Sequence, residues 1–229
     1  MRSKRLTTRS LAVLLCAGAV SLGVAAGAAA VIYVYGNGFS KKSAFKEIKR
    51  TGGSKKCDRE YREKSNQMAI SLTGKRLCDF SPPVVGDAAQ PDHVIYAKGR
   101  MNRKRTPKAL RRAAYLAVRV RNGHGGNYEL QIFPTRKRFK LVRNPAAEAV
   151  SERGRSRAIN AGKKPNALRL AVDGARVTGF VNGRKLASVV DPNPGGVNGR
   201  KTSFGLGSRK DGKRRTVGSF KRVRVGIAE

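Results

Sequence analysis

Glu129 is the strongest candidate for a working carboxylate in this 229-residue chain, because it stands in the segment NYELQIF between Asn127 and Gln131. Side chains alternate between the two faces of a strand, so Asn127, Glu129 and Gln131 share a polar face opposite Tyr128, Leu130 and Ile132. Such a face can hydrogen-bond a polyhydroxylated ligand. Acid chemistry asks for more, since retaining glycoside hydrolysis needs two carboxyls about 5–5.5 Å apart. Glu148 and Glu152 are spaced by four but fall in a stretch that reads as a loop or helical turn. Within residues 68–229 no other acid is followed at i+2 or i+4 by a second one on a clear strand. The plain expectation for Glu129 is a strand residue paired with a neighbouring arginine.

Other chemistries have less support. Ser151, Ser156, Ser188 and Ser203 lack a GxSxG context, and His93 and His124 are the only histidines, so a triad has no frame. His93 in PDHVIY reads as a strand-entry residue and His124 in NGHGG as a loop tip. Neither GHGG nor PNPGG precedes a helix or carries a Walker Lys-Ser/Thr pair. Asp173, Asp191 and Asp211 each precede Gly or Pro, where a short carboxylate caps a turn. Outside the N-terminal apolar run, Cys57 and Cys78 form an even pair with no CxxC spacing and no histidine at ligand spacing. A disulfide in an oxidising compartment is expected, two reduced buried thiols being the alternative.

The elements that must carry these residues are strands. In residues 166–190, Leu168, Leu170 and Val172 alternate with smaller or charged residues, Asp173-Gly174 breaks the run, and Asn182-Gly183 separates ARVTGFV from RKLASVV. Both dipeptides suit type I′ hairpin turns, which need φ > 0 at their central positions. Further strand-like runs are MAISL from Met68, KRLCDF from Lys75, HVIYAKG from His93, AYLAVRV from Ala114 and RFKLV from Arg138, and Val223, Val225 and Ile227 alternate near the end. Pro82-Pro83, Gly86-Asp87, Asn122-Gly123, Gly125-Gly126 and Asn144-Pro145 punctuate them. KSAFKEIKR and TPKALRRAA predict only short helices. This pattern predicts an all-β, two-sheet antiparallel sandwich of jelly-roll type and disfavours a doubly wound α/β fold.

The N-terminal part is different in kind. A basic segment, residues 1–10, precedes an apolar run, residues 11–35, which is long enough for a transmembrane helix. A cleaved signal peptide is the competing reading, with Ala28-Ala29-Ala30 as the cleavage site, but VIYVY continues the apolar run past it and favours an anchor. Residues 36–67 read as a polar stalk and residues 68–229 as the sandwich. The net charge is +36, from 50 Lys and Arg against 14 Asp and Glu, so attraction to polyanions is built in at low ionic strength. Trp is absent and aromatics are 6%, which thins both base-stacking and sugar-stacking platforms.

In their order, GGNYELQIFP, RVTGFVNGRKLASVVDPNPGG and TVGSFKRVRVGI resemble the concanavalin A-like lectin/glucanase superfamily, in particular its laminin-G-like and 3-keto-disaccharide-hydrolase-like domains behind a membrane anchor. The resemblance covers roughly residues 68–227 and implies a jelly roll whose outer sheet face and rim loops often bind glycans. It also implies a possible calcium site at the rim, for which Asp191 and Asn193 are weak candidates; no other cofactor is expected. The chain departs from the glucanase branch in having no ExDxE alternation on one strand. Fold alone does not select among lectins, hydrolases and structural modules.

The expected function is therefore a membrane-anchored, extracytoplasmic, non-catalytic sandwich that binds cell-envelope carbohydrate or acts as an envelope scaffold. Asn127, Glu129, Gln131 and Arg169 are the candidate carbohydrate-binding residues, with arginine suited to carboxylate or phosphate groups. A glycan or keto-sugar hydrolase is the first alternative and a polyanion- or nucleic-acid-binding protein the second. Export and the scarcity of aromatics count against nucleic acid.

Overall fold

The computed structural model describes residues 31–52, 56–83, 92–123, 125–145, 150–197 and 199–228. Among them, strands alternate apolar and polar side chains and pair antiparallel into two stacked sheets. The first sheet runs β13 (Arg184–Val190), β12 (Arg176–Val181), β11 (Asn166–Asp173), β6 (His93–Met101), β15 (Arg215–Ala228), β4 (Gln67–Thr73) and β3 (Cys57–Arg62). The second runs β10 (Ser151–Arg155), β9 (Arg138–Asn144), β8 (Gly126–Phe133), β7 (Ala114–Gly123), β14 (Lys201–Ser208), β5 (Arg76–Ser81) and β2 (Lys49–Gly52). Two short helices, α1 (Lys42–Glu47) and α2 (Lys108–Arg111), lie where the sequence predicts them.

The core lies between the sheets and follows the period-2 pattern. Leu168, Leu170 and Val172 of β11 face Tyr128, Leu130 and Ile132 of β8 across it, all fully buried. Burying each such side chain is worth about 1.5–3 kcal/mol, which makes this layer the main source of stability. Phe204 of β14 meets Phe220 of β15 edge-on at 4.8 Å between ring centroids. Cys57 of β3 and Cys78 of β5 form a disulfide that ties one sheet to the other. The expected pairing is therefore present, and it crosses the sandwich.

The hairpin signals hold with one change. Asn182 (φ 49°) and Gly183 (φ 83°) both take left-handed backbone between β12 and β13, as a type I′ turn requires. Asp173 instead pairs with Arg176, so the other loop is Gly174-Ala175, with positive φ at Gly174 only. That is the type II′ pattern, which needs glycine at the first central position.

Two boundaries drawn from the sequence are corrected. Residues 11–30 of the expected anchor lie outside the described residues, but its last part forms β1 (Val31–Asn37), antiparallel to the second half of β15. The first half of β15 pairs with β4 on that side, and β1 takes over where β4 ends. The apolar continuation VIYVY is thus a β-branched and aromatic strand completing a sheet, not the end of a membrane helix. Among the described residues no helix is long and apolar enough to cross a membrane. Residues 36–67, expected as a stalk, contribute β2 and β3 to opposite sheets. Phe39 is buried beneath a corner in which Asn37 Oδ1 accepts its N–H at 2.7 Å. Polar composition disguised these strands because they lie at sheet edges, where one flank meets solvent.

Candidate functional site

Cross-strand partners lie on the same sheet face, so the register builds the outer face of the second sheet row by row. One row joins Ser203, Arg119 and Glu129 across β14, β7 and β8. The next joins Asp79, Gly205, Ala117, Gln131, Lys140 and Arg153 from β5 to β10. A third brings Phe133 of β8 against Arg138 of β9 and Arg155 of β10, with Tyr115 of β7 packed at a tilt against Phe133, 5.3 Å between ring centroids. Gly207 leaves room for that ring, since a Cβ there would lie 2.1 Å from Tyr115.

A connected polar relay crosses the face. Arg119 donates from Nη1 to Asp79 Oδ2 at 3.1 Å and from Nη2 to Glu129 Oε2 at 2.9 Å. Glu129 Oε2 also accepts from Asn144 at 3.2 Å, and its Oε1 accepts from Gln131 Nε2 at 2.9 Å. Gln131 Oε1 in turn accepts from Arg209 Nη2 at 2.7 Å, and that guanidinium stacks 4.6 Å from the centroid of Phe133. Asn127 accepts from Asn144 at 3.1 Å. The sequence-predicted trio therefore does form one cluster. It is far less open than a half-buried strand suggests: Asn127 is 8% exposed, Glu129 2% and Gln131 9%.

Burial sets the electrostatics. It pushes the Asp79 carboxyl above the ordinary carboxylate range, against the pull of Arg119, and Glu129 adds to the push. Asp79 Oδ1 is buried with no hydrogen-bond partner among the described residues, which a neutral carboxyl tolerates better than a charged one. Burial also works against the Arg119 cation, but Glu129 and Asp79 outweigh it and hold its pKa above the usual value. Tyr115 is pushed up to about 12, by burial and then by Glu129, so it serves as a neutral hydroxyl and an apolar surface.

Arg169, the fourth predicted binding residue, is not part of this cluster. It lies on β11 in the first sheet, opposite Phe180 and Tyr96, with its guanidinium 3.7 Å from the Phe180 centroid. The alternation of LRLAV assigned its face correctly, but not which sheet that face belonged to. The weak calcium candidates are also otherwise engaged. Asp191 is buried, accepts from Tyr128 Oη at 2.6 Å and Arg143 Nη1 at 3.1 Å, and accepts the Asn193 backbone N–H at 2.9 Å. A guanidinium in contact opposes a cation there. Among the described residues no group of three or more His, Cys, Asp or Glu could hold a metal ion. Glu152, expected in a loop or helical turn, lies on β10, while Glu148 and His124 lie outside the described residues.

Sequence reasoning missed Asp79, Arg119, Tyr115 and Arg209 as members of the site. Asp79 and Glu129 are 50 positions apart, so an i+2 or i+4 search could not pair them. A usable signal existed in AYLAVRV, where Arg119 is a charged residue on an otherwise apolar strand.

The two stacked antiparallel sheets form a β-sandwich whose fold is shared by solved glucanases and by a protein with a galectin-like fold. A lichenase from a mouse hindgut metagenome superposes with a TM-score of 0.61 at 12% identity, covering 85% of this chain and 99% of that one. A galectin-like protein of unknown function from Bacillus subtilis gives 0.57 at 10% identity, covering 86% and 97%. Carbohydrate-binding module CBM66 from Bacillus subtilis gives 0.51 at 11% identity, covering 79% and 95%. No protein-family model matches the chain, and no curated protein matches it in sequence. The likeness is one of fold, shared by carbohydrate-binding proteins and glycosidases.

Proposed function

We propose that this protein is a membrane-anchored, extracytoplasmic jelly roll that binds cell-envelope carbohydrate on the outer face of its second sheet, without turning the ligand over. One observation carries the non-catalytic part: Arg119 lies between Asp79 and Glu129 and is bonded to both. Both oxygens of Glu129 are engaged, by Arg119 and Asn144 on one side and Gln131 on the other. A general base or nucleophile must also reach substrate, and Glu129 is only 2% exposed. What remains presented on this face is chiefly the guanidinium groups of Arg138, Arg153, Arg155 and Arg209, which can donate to hydroxyl or anionic groups of a sugar, while Tyr115 and Phe133 are almost wholly buried beneath them. The carbohydrate-binding module among the fold neighbours supports this reading, and the intersheet disulfide supports an oxidising compartment. Anchoring falls to residues 11–30, which lie ahead of β1.

A hydrolase is the second reading. Its support is the pKa of Asp79, raised by burial, on a carboxyl that shares Arg119 with Glu129, since a general acid must hold its proton. A glycan array followed by incubation with the bound glycan separates the two. Binding without product supports the module, whereas product release abolished by Glu129→Gln supports the enzyme. Absence of binding to any glycan contradicts both. Intact-mass measurement of the unreduced native protein distinguishes an uncleaved anchor from cleavage after Ala30.

A further inference from the structure

At the β9–β10 edge of the same outer face, six cations, Arg136, Arg138, Lys140, Arg153, Arg155 and Arg209, line a cleft of about 410 Å³ floored by Phe133. Among the described residues no carboxylate lines it. Lys140 stands opposite Arg153, and Arg138 opposite Arg155. Like charges directly opposed across strands destabilise a sheet, so this edge carries an internal repulsion. Alternation along β10 turns Glu152 away from Arg153 and Arg155. Among the described residues none of the six is ion-paired, whereas Arg119, Arg121 and Arg143 all find carboxylates. Arg209 is moreover held in place, by Gln131 at 2.7 Å and by the Phe133 ring. A cleft that concentrates repelling cations around an aromatic floor is built to be neutralised by something from outside.

We infer that the cleft recognises carboxylate or phosphate groups carried along an acidic polysaccharide. This rests on the glycan-binding reading above and names its ligand class. Planar guanidiniums bind both anions through paired N–H donors, which fixes orientation as well as charge. A nucleic acid would satisfy the charge. It would gain little from stacking, because the two aromatic rings that line the cleft, Phe133 and Phe139, are each only 6% exposed.

The test uses the full-length chain in non-ionic detergent, with affinities for polygalacturonate, phosphomannan, neutral laminarin and single-stranded DNA measured at one ionic strength. The variants are Arg138→Gln with Arg153→Gln, and, as a control of equal charge, Lys98→Gln with Arg222→Gln, a cross-strand pair on the first sheet. The cleft variant is expected to lose about tenfold in affinity for the acidic polysaccharides, and the control less than about twofold. Tighter binding of polygalacturonate or of phosphomannan identifies the anion, and either supports the inference. Equal losses in the two variants would overturn the cleft. DNA binding as tight as polygalacturonate would overturn the polysaccharide assignment. Laminarin binding as tight as both acidic polymers overturns the inference while leaving glycan binding intact; no binding to any polysaccharide contradicts both.

Discussion

Arg119 and Glu129 face each other in register across β7 and β8, with Nη2 2.9 Å from Oε2, and the same guanidinium reaches Asp79 at 3.1 Å. Removing the cation strands two buried acids. Arg119→Met is therefore expected to cost about 3–5 kcal/mol in urea unfolding. Adding Asp79→Asn and Glu129→Gln to it should recover most of that loss, because no buried charge is then left alone. A loss below about 1 kcal/mol for Arg119→Met would place the cluster in solvent-like surroundings.

The raised pKa of Asp79 has a definite sign in stability. The folded state holds the Asp79 proton more tightly than the unfolded chain, so the contribution is fully present below the ordinary value of 3.8 and is lost as pH rises through the folded value. Asp79→Asn removes that dependence. The difference in thermal midpoint, wild type minus Asp79→Asn, should fall as pH is raised from about 3.8 toward neutrality. A difference that grows with pH contradicts the burial argument.

The Cys57–Cys78 bridge spans 21 positions and links β3 in one sheet to β5 in the other. Replacing both cysteines by serine should lower stability by about 2–4 kcal/mol, read as a lower urea midpoint. Wild type unfolded with reductant present should match the variant. If reductant has no effect on the wild type, the bridge is absent in solution.

Asp191 serves structure through Tyr128, whose hydroxyl donates to it at 2.6 Å inside the sandwich. Tyr128→Phe should cost about 1–2 kcal/mol, since Arg143 still satisfies the carboxylate, and Asp191→Ala should cost more by leaving both partners unpaired. Added calcium should leave the melting temperature of the wild type unchanged. A calcium-dependent rise would return Asp191 and Asn193 to the role of ligands.

The sequence showed the fold more fully than the site. Strands with one buried face, such as β8 and β11, declare themselves by alternation, and Asn182-Gly183 marks its own turn. β1, β2, β3 and β10 did not, because edge strands are polar on an exposed flank or, in β1, continuous with an apolar segment that reads as membrane. The site was legible along a strand but not between strands. Asn127, Glu129 and Gln131 were joined correctly by period 2, while Arg119 and Asp79 reach them only through cross-strand register. Register is also why Arg169 was grouped with them: its pattern matches, but β11 belongs to the opposite sheet.

The central claim is that glycan is bound on the outer face of the second sheet. The most direct measurement is a titration of the ¹⁵N-labelled full-length protein in detergent with oligogalacturonate, followed by amide chemical shifts. The account predicts concentrated, saturable shifts at Ala117, Gln131, Phe133, Arg138 and Arg153. Shifts confined to Tyr96, Arg169 and Phe180 on the first sheet would contradict it, as would uniform small shifts across both sheets.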